Sequence, residues 1–427
     1  MRKFLLILLP ILMLFSNSLV SFAYTSPHIS AEAGILIEYE TGTILYEKNA
    51  HQKMYPASTT KVITALLVLE NANLDDKVVI DYDLGYIDGS SMYLKKGESF
   101  TVKELLECLL IKSANDSAVA LANHISGSVE EFSKLMNKRA KELGCKNSNF
   151  TNPNGLPDPN HYSTAYDLAL FAKEAMKHDV FREIVKTPYL RIPPTEQTPN
   201  ERVFRNSNRL LWGQGGRNTM DYKGKTVDIK YDVIDGIKTG YTNLARQCLI
   251  STGEKDGIRV ISVVLKTEGK NVYIDTRTLI DYGIDNYKLE NVLFKNQVLG
   301  NKLIPLSKEN TINYGPADNY KILLRKNENI GNVRTDINLS PNLSAPIKYG
   351  DTVGKIKVYR DNNVLSEIDL IALSDATPIL VKYSTLNTFY KTGITLLKIV
   401  ILCLFIFTFI KINKLYFSKK GKNKRKK

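Results

Sequence analysis

The stretch Pro56-Ala57-Ser58-Thr59-Thr60-Lys61 and the apolar run Val62 to Leu69 behind it constrain this chain more than any other feature. Apart from Thr64 the run has no polar stripe, which predicts a helix buried all round rather than lying on a surface. Within a helix, Ser58 and Lys61 are three positions apart and share a face. A lysine at the wall of a core loses solvation, and its pKa falls toward that of a useful base. A weak nucleophile, the serine hydroxyl, is thereby placed beside a group able to take its proton.

The chain around this stretch divides by texture. Arg2 and Lys3, the apolar core Phe4 to Phe15 and the small-x-small site Ser21-Phe22-Ala23 predict a signal peptide over residues 1–23, cut before Tyr24. Residues 24–286 mix strand and helix periods. Ala33–Tyr39 and Thr43–Glu47 read as a hairpin across Glu40-Thr41-Gly42. Helical spacing runs over Val102–Leu110, Ser117–Ile125, Glu130–Leu143, Ser163–Met176 and Ile274–Tyr282. Val233–Gly240, Gln247–Thr252 and Arg259–Lys266 read as successive strands. The glycines and charges between Trp212 and Tyr231 suggest an exposed excursion. From Tyr287 to Pro378 short strands alternate with Asn- and Gly-containing turns, predicting a separate β domain followed by a linker over 379–393.

Ile394–Ile412 carries fourteen Leu, Ile, Val and Phe residues and one early charge, Lys398. Those side chains favour insertion by roughly 4 to 8 kcal/mol, against at most about 3.5 kcal/mol for the lysine. A transmembrane helix is expected, with the basic tail 413–427 on the cytoplasmic side and the rest outside. The formal net charge of +14 draws on this tail, where Lys414, Lys419, Lys420, Lys422, Lys424, Arg425, Lys426 and Lys427 lie. A basic tail with no reader module predicts a membrane surface as its neighbour and no nucleic acid. The four cysteines, Cys108, Cys145, Cys248 and Cys403, are scattered and read as small buried hydrophobes rather than a disulfide framework. The histidines form no H-E-x-x-H pattern, there is no G-x-S-x-G, and no metal or cofactor is expected.

Among the serines, only Ser58 has a lysine three positions later. Two further motifs follow in order: Ser113-Ala114-Asn115 at a helix junction and Lys238-Thr239-Gly240 on a strand. A second Lys-Thr-Gly at 391–393 lacks the strand context and reads as coincidence. With the blocks Gly89-Ser90-Ser91-Met92, Asn154-Gly155-Leu156-Pro157, Asn206-Ser207-Asn208-Arg209 and Asp235-Gly236-Ile237, the chain resembles the low-molecular-mass penicillin-binding proteins, the serine D-alanyl-D-alanine carboxypeptidases. The likeness covers about Ala31 to Tyr282, and the later β segment is similar to that family's small C-terminal domain.

The resemblance implies an α/β (α+β) transpeptidase fold of the penicillin-binding and β-lactamase type, with an antiparallel sheet flanked by helices. It implies removal of the terminal D-alanine from peptidoglycan stem pentapeptides through an acyl-enzyme, and β-lactams as covalent inhibitors. Ser58 is then the nucleophile, Lys61 its base and Ser113 the proton relay. Asn115, Lys238, Thr239 and the Tyr241 backbone bind substrate. The same motifs leave open a D,D-endopeptidase acting on cross-links, a β-lactamase, and a non-catalytic penicillin- or wall-binding module. An E-x-x-L-N segment of the kind that supplies a deacylating glutamate is absent. The family's arginine before the closing helix is also missing at Asn271–Ile274, which makes Lys270 the candidate for the substrate carboxylate. His161 is expected to be structural or capping.

Overall fold

The computed structural model describes residues 26–379 and 383–423. The expected signal peptide and the last four tail residues lie outside the described residues. Contacts group the chain into one unit reaching Glu290 and including Ile322–Asn329, and a second formed by Asn291–Lys321 and the residues from Ile330 on.

The first unit is built on a five-stranded antiparallel sheet. From edge to edge its strands are Ile44–Lys48, Ala33–Glu38, Ile258–Thr267, Arg246–Lys255 and Ile234–Thr242. Every residue of Ala33–Glu38 is buried, as a strand covered on both faces requires. Alternate residues supply the two layers. Ala33, Ile35 and Ile37 join the helical core, whereas Leu36 packs with Leu279 and Ile280 of the closing helix Asn271–Asn286. Glu38 is buried at the hairpin and accepts from the Glu40 and Thr41 amides and the Thr41 hydroxyl, which locks the turn.

On the first face, the helix Lys61–Asn71 is buried from Lys61 through Val68, and it packs on the helices Ala165–Ala175 and Asn115–Ser126. Within its apolar run the one polar side chain, Thr64, donates to the Pro153 carbonyl at 2.6 Å, so that hydroxyl is satisfied.

Three local expectations change. Ala57–Thr60 is a 3₁₀ turn, and the α-helix starts only at Lys61. Because side chains three apart eclipse in a 3₁₀ turn, this tightens the Ser58–Lys61 alignment. The helix expected over Val102–Leu110 is α-helical to Glu107, with a Thr101–Glu104 capping box, and then becomes a π turn over Cys108–Lys112. The excursion after Trp212 is not simply exposed. It forms a hairpin, Thr219–Tyr222 with Lys225–Asp228, and buries Met220, Tyr222 and Ile229. The Tyr222 and Tyr231 hydroxyls donate to Asp281 at 2.8 and 2.7 Å, and the Arg277 guanidinium stacks 4.6 and 4.2 Å from their rings. Aromatic anchoring of this kind is hidden in a segment whose composition is polar.

The second unit contains a five-stranded antiparallel sheet in the order Gly300–Leu303, Thr311–Pro316, Asn363–Ala372, Thr352–Arg360 and Val333–Leu339. Ile304, Ile312, Ile356, Val358 and Leu370 form its core. The terminal helix spans Tyr383–Asn423, so residues from 383 on are helical where a linker was expected. Within it, Tyr390–Ile412 has a mean hydropathy of 2.6 and is long and apolar enough to cross a membrane. Cys108, Cys145 and Cys248 are buried and unpaired. Cys403 is free on the apolar helix.

Candidate active site

The 3₁₀ turn carries Ser58 to the floor of a cleft of about 730 Å³ within the first unit. Two glycines permit this approach. A Cβ on Gly155, whose φ is +84°, would stand 1.9 Å from the Ala57 carbonyl oxygen. One on Gly240 would stand 3.0 Å from both the Pro56 oxygen and the Ser58 nitrogen. Only residues without a side chain let the Asn154-Gly155 loop and the Ile234–Thr242 strand close on the serine turn from two sides.

Lys61 is fully buried, and its Nζ lies 2.9 Å from Ser58 Oγ, 2.6 Å from Asn115 Oδ1 and 2.7 Å from the Asn154 carbonyl oxygen. Burial, followed by the charge of Lys238, holds its pKa well below the ordinary lysine value, with Asp116 opposing. A neutral amine has two protons and one lone pair. Asn115 and Asn154 offer only oxygens, so they take the two protons. Once the amine is neutral, its lone pair is left for the Ser58 hydroxyl.

Asn115 is held in turn. Its Nδ2 donates to the Asp88 carbonyl at 2.5 Å, and its backbone nitrogen donates to Ser90 O at 2.7 Å. Beside it, Asp116 accepts from the Ser91 hydroxyl and the Met92, Leu94 and Ser117 amides, which straps the Gly89–Met92 loop to the helix start. Ser113 ends the π turn in a left-handed conformation, φ 67°, and lines the cleft.

Across the cleft, Lys238 is fully buried and burial lowers its pKa to about 7. It donates to the Thr239 carbonyl at 2.9 Å and reaches Ser207 Oγ at 3.4 Å. The Thr239 hydroxyl donates to Ser207 Oγ at 2.7 Å. Tyr241 also lines the cleft, with its ring exposed and its hydroxyl 3.3 Å from Asn243 Oδ1.

All seven residues singled out from sequence therefore belong to one neighbourhood: Ser58, Ser113, Asn115, Thr239 and Tyr241 line the cleft, and Lys61 and Lys238 lie beneath it. Lys270 does not join them. It stands outside the cleft lining, with Nζ donating to the Thr219 carbonyl at 2.7 Å, and the side chain that reaches the cleft from this region is Tyr273. Ser207 and Asp116 were missed as individual residues. Ser207 lies inside the Asn206–Arg209 block and Asp116 directly follows Asn115, but a serine or aspartate next to an asparagine carries no signal until its partner across the fold is known.

His161 is buried, and its pKa is pushed down to about 4, first by burial. Nδ1 accepts from the Thr151 amide at 3.1 Å, so Nε2 carries the proton and donates to Thr60 Oγ1 at 2.9 Å. The ring is a neutral brace between the Asn152–Pro159 turn region and the serine turn.

Residues 20–269 match the family described as D-alanyl-D-alanine carboxypeptidase, and residues 287–377 match the C-terminal domain of penicillin-binding protein 5. The chain belongs to the D-alanyl-D-alanine carboxypeptidase family. It is accordingly a serine-type carboxypeptidase, a hydrolase acting in the cell wall. The carboxypeptidase DacF of Bacillus subtilis is 36% identical over 353 residues, 81% of this chain and 85% of the relative. DacC of Escherichia coli is 30% identical over 363 residues, 82% of this chain and 85% of the relative. The crystal structure of penicillin-binding protein 5 from Haemophilus influenzae superposes with a TM-score of 0.63 at 28% identity, covering 83% of this chain and 99% of that one. A Streptomyces K15 DD-transpeptidase mutant matches 61% of this chain and all of its own, with a TM-score of 0.54 at 31% identity. The expected transpeptidase-type fold and the carboxypeptidase activity are thus both borne out by the comparisons.

Proposed function

We propose that this carboxypeptidase removes the terminal D-alanine of peptidoglycan stem pentapeptides, with Ser58 as nucleophile and Lys61 as its base. The observation that carries this reading is the position of Lys61 Nζ, held by the Asn115 and Asn154 oxygens 2.9 Å from Ser58 Oγ. The Ser58 proton passes to Lys61, and Oγ bonds to the carbonyl carbon of the penultimate D-alanine. The oxyanion is held by the Ser58 and Tyr241 backbone N–H groups, at the start of the Lys61–Asn71 helix where its dipole favours negative charge. The C–N bond then breaks, and the proton reaches the departing amine through the Ser113 hydroxyl. Water adds to the ester, leaves the tetrapeptide acid and restores Ser58.

Ile234–Thr242 forms one edge of its sheet, and no strand pairs with its outer side among the described residues. A peptide can add there as a further strand. β-Lactams acylate the same serine. No glutamate lines the cleft among the described residues, which favours slow deacylation over β-lactamase turnover. Tyr390–Ile412 anchors the enzyme, preceded by a cleaved signal peptide, with the catalytic unit outside and the basic tail in the cytoplasm. In this reading the residue 24–286 segment is catalytic, and the 287–378 segment holds it off the membrane.

The test measures D-alanine release from a stem pentapeptide by the enzyme and its Ser58→Ala variant, with labelled penicillin as a second readout. Release and labelling by the wild type, with neither above background in the variant, is the expected result. Equal release by both refutes the Ser58 mechanism. Attack on cross-linked dimers in preference to the pentapeptide would make the enzyme an endopeptidase.

A further inference from the structure

A carboxypeptidase must recognise a free terminal carboxylate, yet Lys270 is engaged elsewhere and lies outside the cleft lining. Among the described residues, Lys112 is the one cationic side chain that lines the cleft. It is partly exposed, and its Nζ has no hydrogen bond or ion pair there. It stands over the Phe204 ring, with Nζ 5.6 Å from the ring centroid.

Lys112 reaches the cleft because of the π turn. The five residues Cys108–Lys112 widen the helix end, and the left-handed Ser113 then turns the chain. The segment is tied to the far wall of the cleft. The Ile111 carbonyl accepts from the Ser207 amide at 3.0 Å, and Ser207 Oγ accepts from the Thr239 hydroxyl at 2.7 Å. A cation and two hydroxyls are therefore gathered on backbone segments bonded to one another. Ser207 Oγ is already an acceptor there, so its own proton is free to point outward.

We infer that Lys112, with the Ser207 hydroxyl whose proton the Thr239 contact leaves free, binds the terminal carboxylate of the substrate and supplies the positive charge that an arginine or Lys270 would otherwise provide. The assignment rests on the Ser58 reading, since the carboxylate must lie one residue beyond the bond that Ser58 attacks. The other basic side chains close by, Lys61 and Lys238, are fully buried and committed to oxygens of the protein. Asp88, the carboxylate in the lining, adds a reason for a cation there: without Lys112 the cleft surface would repel an anionic substrate.

The experiment compares kcat/KM for a peptide ending in D-alanyl-D-alanine with that for the same peptide ending in D-alaninamide, in wild type, Lys112→Met and Lys112→Arg. Loss of one charge-assisted contact predicts a fall of about 10- to 100-fold for the acid in Lys112→Met, through KM, with the amide little changed. Lys112→Arg keeps the preference for the acid. A Lys112→Met enzyme with the wild-type acid-to-amide ratio overturns the assignment, whether both rates are normal or both have fallen through damage to the fold. Ser58→Ala is run alongside: its equality with wild type would refute the Ser58 reading, which the Lys112 ratio does not address.

Discussion

Lys61 Nζ and Asn115 Oδ1 are 2.6 Å apart, and the nitrogen of the same amide is engaged by the Asp88 carbonyl at 2.5 Å. The amide orientation is therefore fixed from both ends, because a flip would set two donors against each other and two acceptors against each other. Asn115 presents to Lys61 an oxygen without a charge. It therefore does not oppose the lowering of the Lys61 pKa by burial and Lys238.

Asn115→Asp tests it with almost no change of shape. A carboxylate at this distance favours the protonated lysine, so the Lys61 pKa rises. In the proposed mechanism acylation requires neutral Lys61, and its rate then climbs with pH through that pKa. The rising limb of the pH profile for penicillin acylation should move to higher pH by about one to three pH units. At neutral pH the variant is slow, and at alkaline pH it recovers. A loss of rate that is uniform across pH would instead mean that Asn115 acts only on the substrate.

The backbone just after the Gly89–Met92 loop is held by a buried ion pair, whose Arg202 also donates to the Tyr93 carbonyl at 3.3 Å. Arg202 Nη2 lies 2.7 and 2.8 Å from the two Glu98 oxygens, with the pair almost wholly removed from solvent. Burial opposes ionisation of Glu98, but the Thr195 hydroxyl and Arg202 outweigh it and hold the pKa below the usual value. Arg202→Met leaves that carboxylate buried without its partner, at a cost of about 3 to 5 kcal/mol. Urea unfolding should report this loss. Because Glu98 has a depressed folded pKa, its contribution is present above the unfolded carboxylate value and is lost as pH falls through the folded one. The gap between wild type and Arg202→Met should consequently narrow in acid. Replacing both residues with apolar ones should cost less than Arg202→Met alone.

The sequence was most legible where one residue type has one purpose. An apolar run with a single threonine can only be a buried helix, and a serine with a lysine one turn later has little structural reason to be there. The strands of the main sheet could be read because their apolar runs alternate with turn residues. The unread features depend on contacts between distant segments. Asp281 receives two tyrosine hydroxyls from the excursion, and Ser207 stands between Thr239 and the π turn. Nothing in the local pattern of Cys108–Lys112 distinguishes a π turn from the last turn of an α-helix, since both bury the same apolar side chains. Lys112 could not be separated from the other lysines without that geometry.

Lys238 supplies the last prediction, in which function and stability oppose each other. Burial lowers its pKa to about 7 in the folded enzyme, below the ordinary value of 10.5. Between these values the unfolded chain binds the extra proton, so stability rises with pH. Below pH 7 the burial penalty is fully present. Lys238→Met removes it, and the variant should melt above the wild type at pH 7 while losing acylation by penicillin. Its advantage should shrink as pH is raised from 7 to about 8.5, by up to about 1.4 kcal/mol per pH unit. The thiols of Cys108, Cys145 and Cys248, all raised by burial, act in the opposite direction at higher pH, but they are common to both proteins and cancel in the difference. Melting curves of the two proteins across this range decide it: an advantage independent of pH would show that the substitution acts through packing and not through the proton.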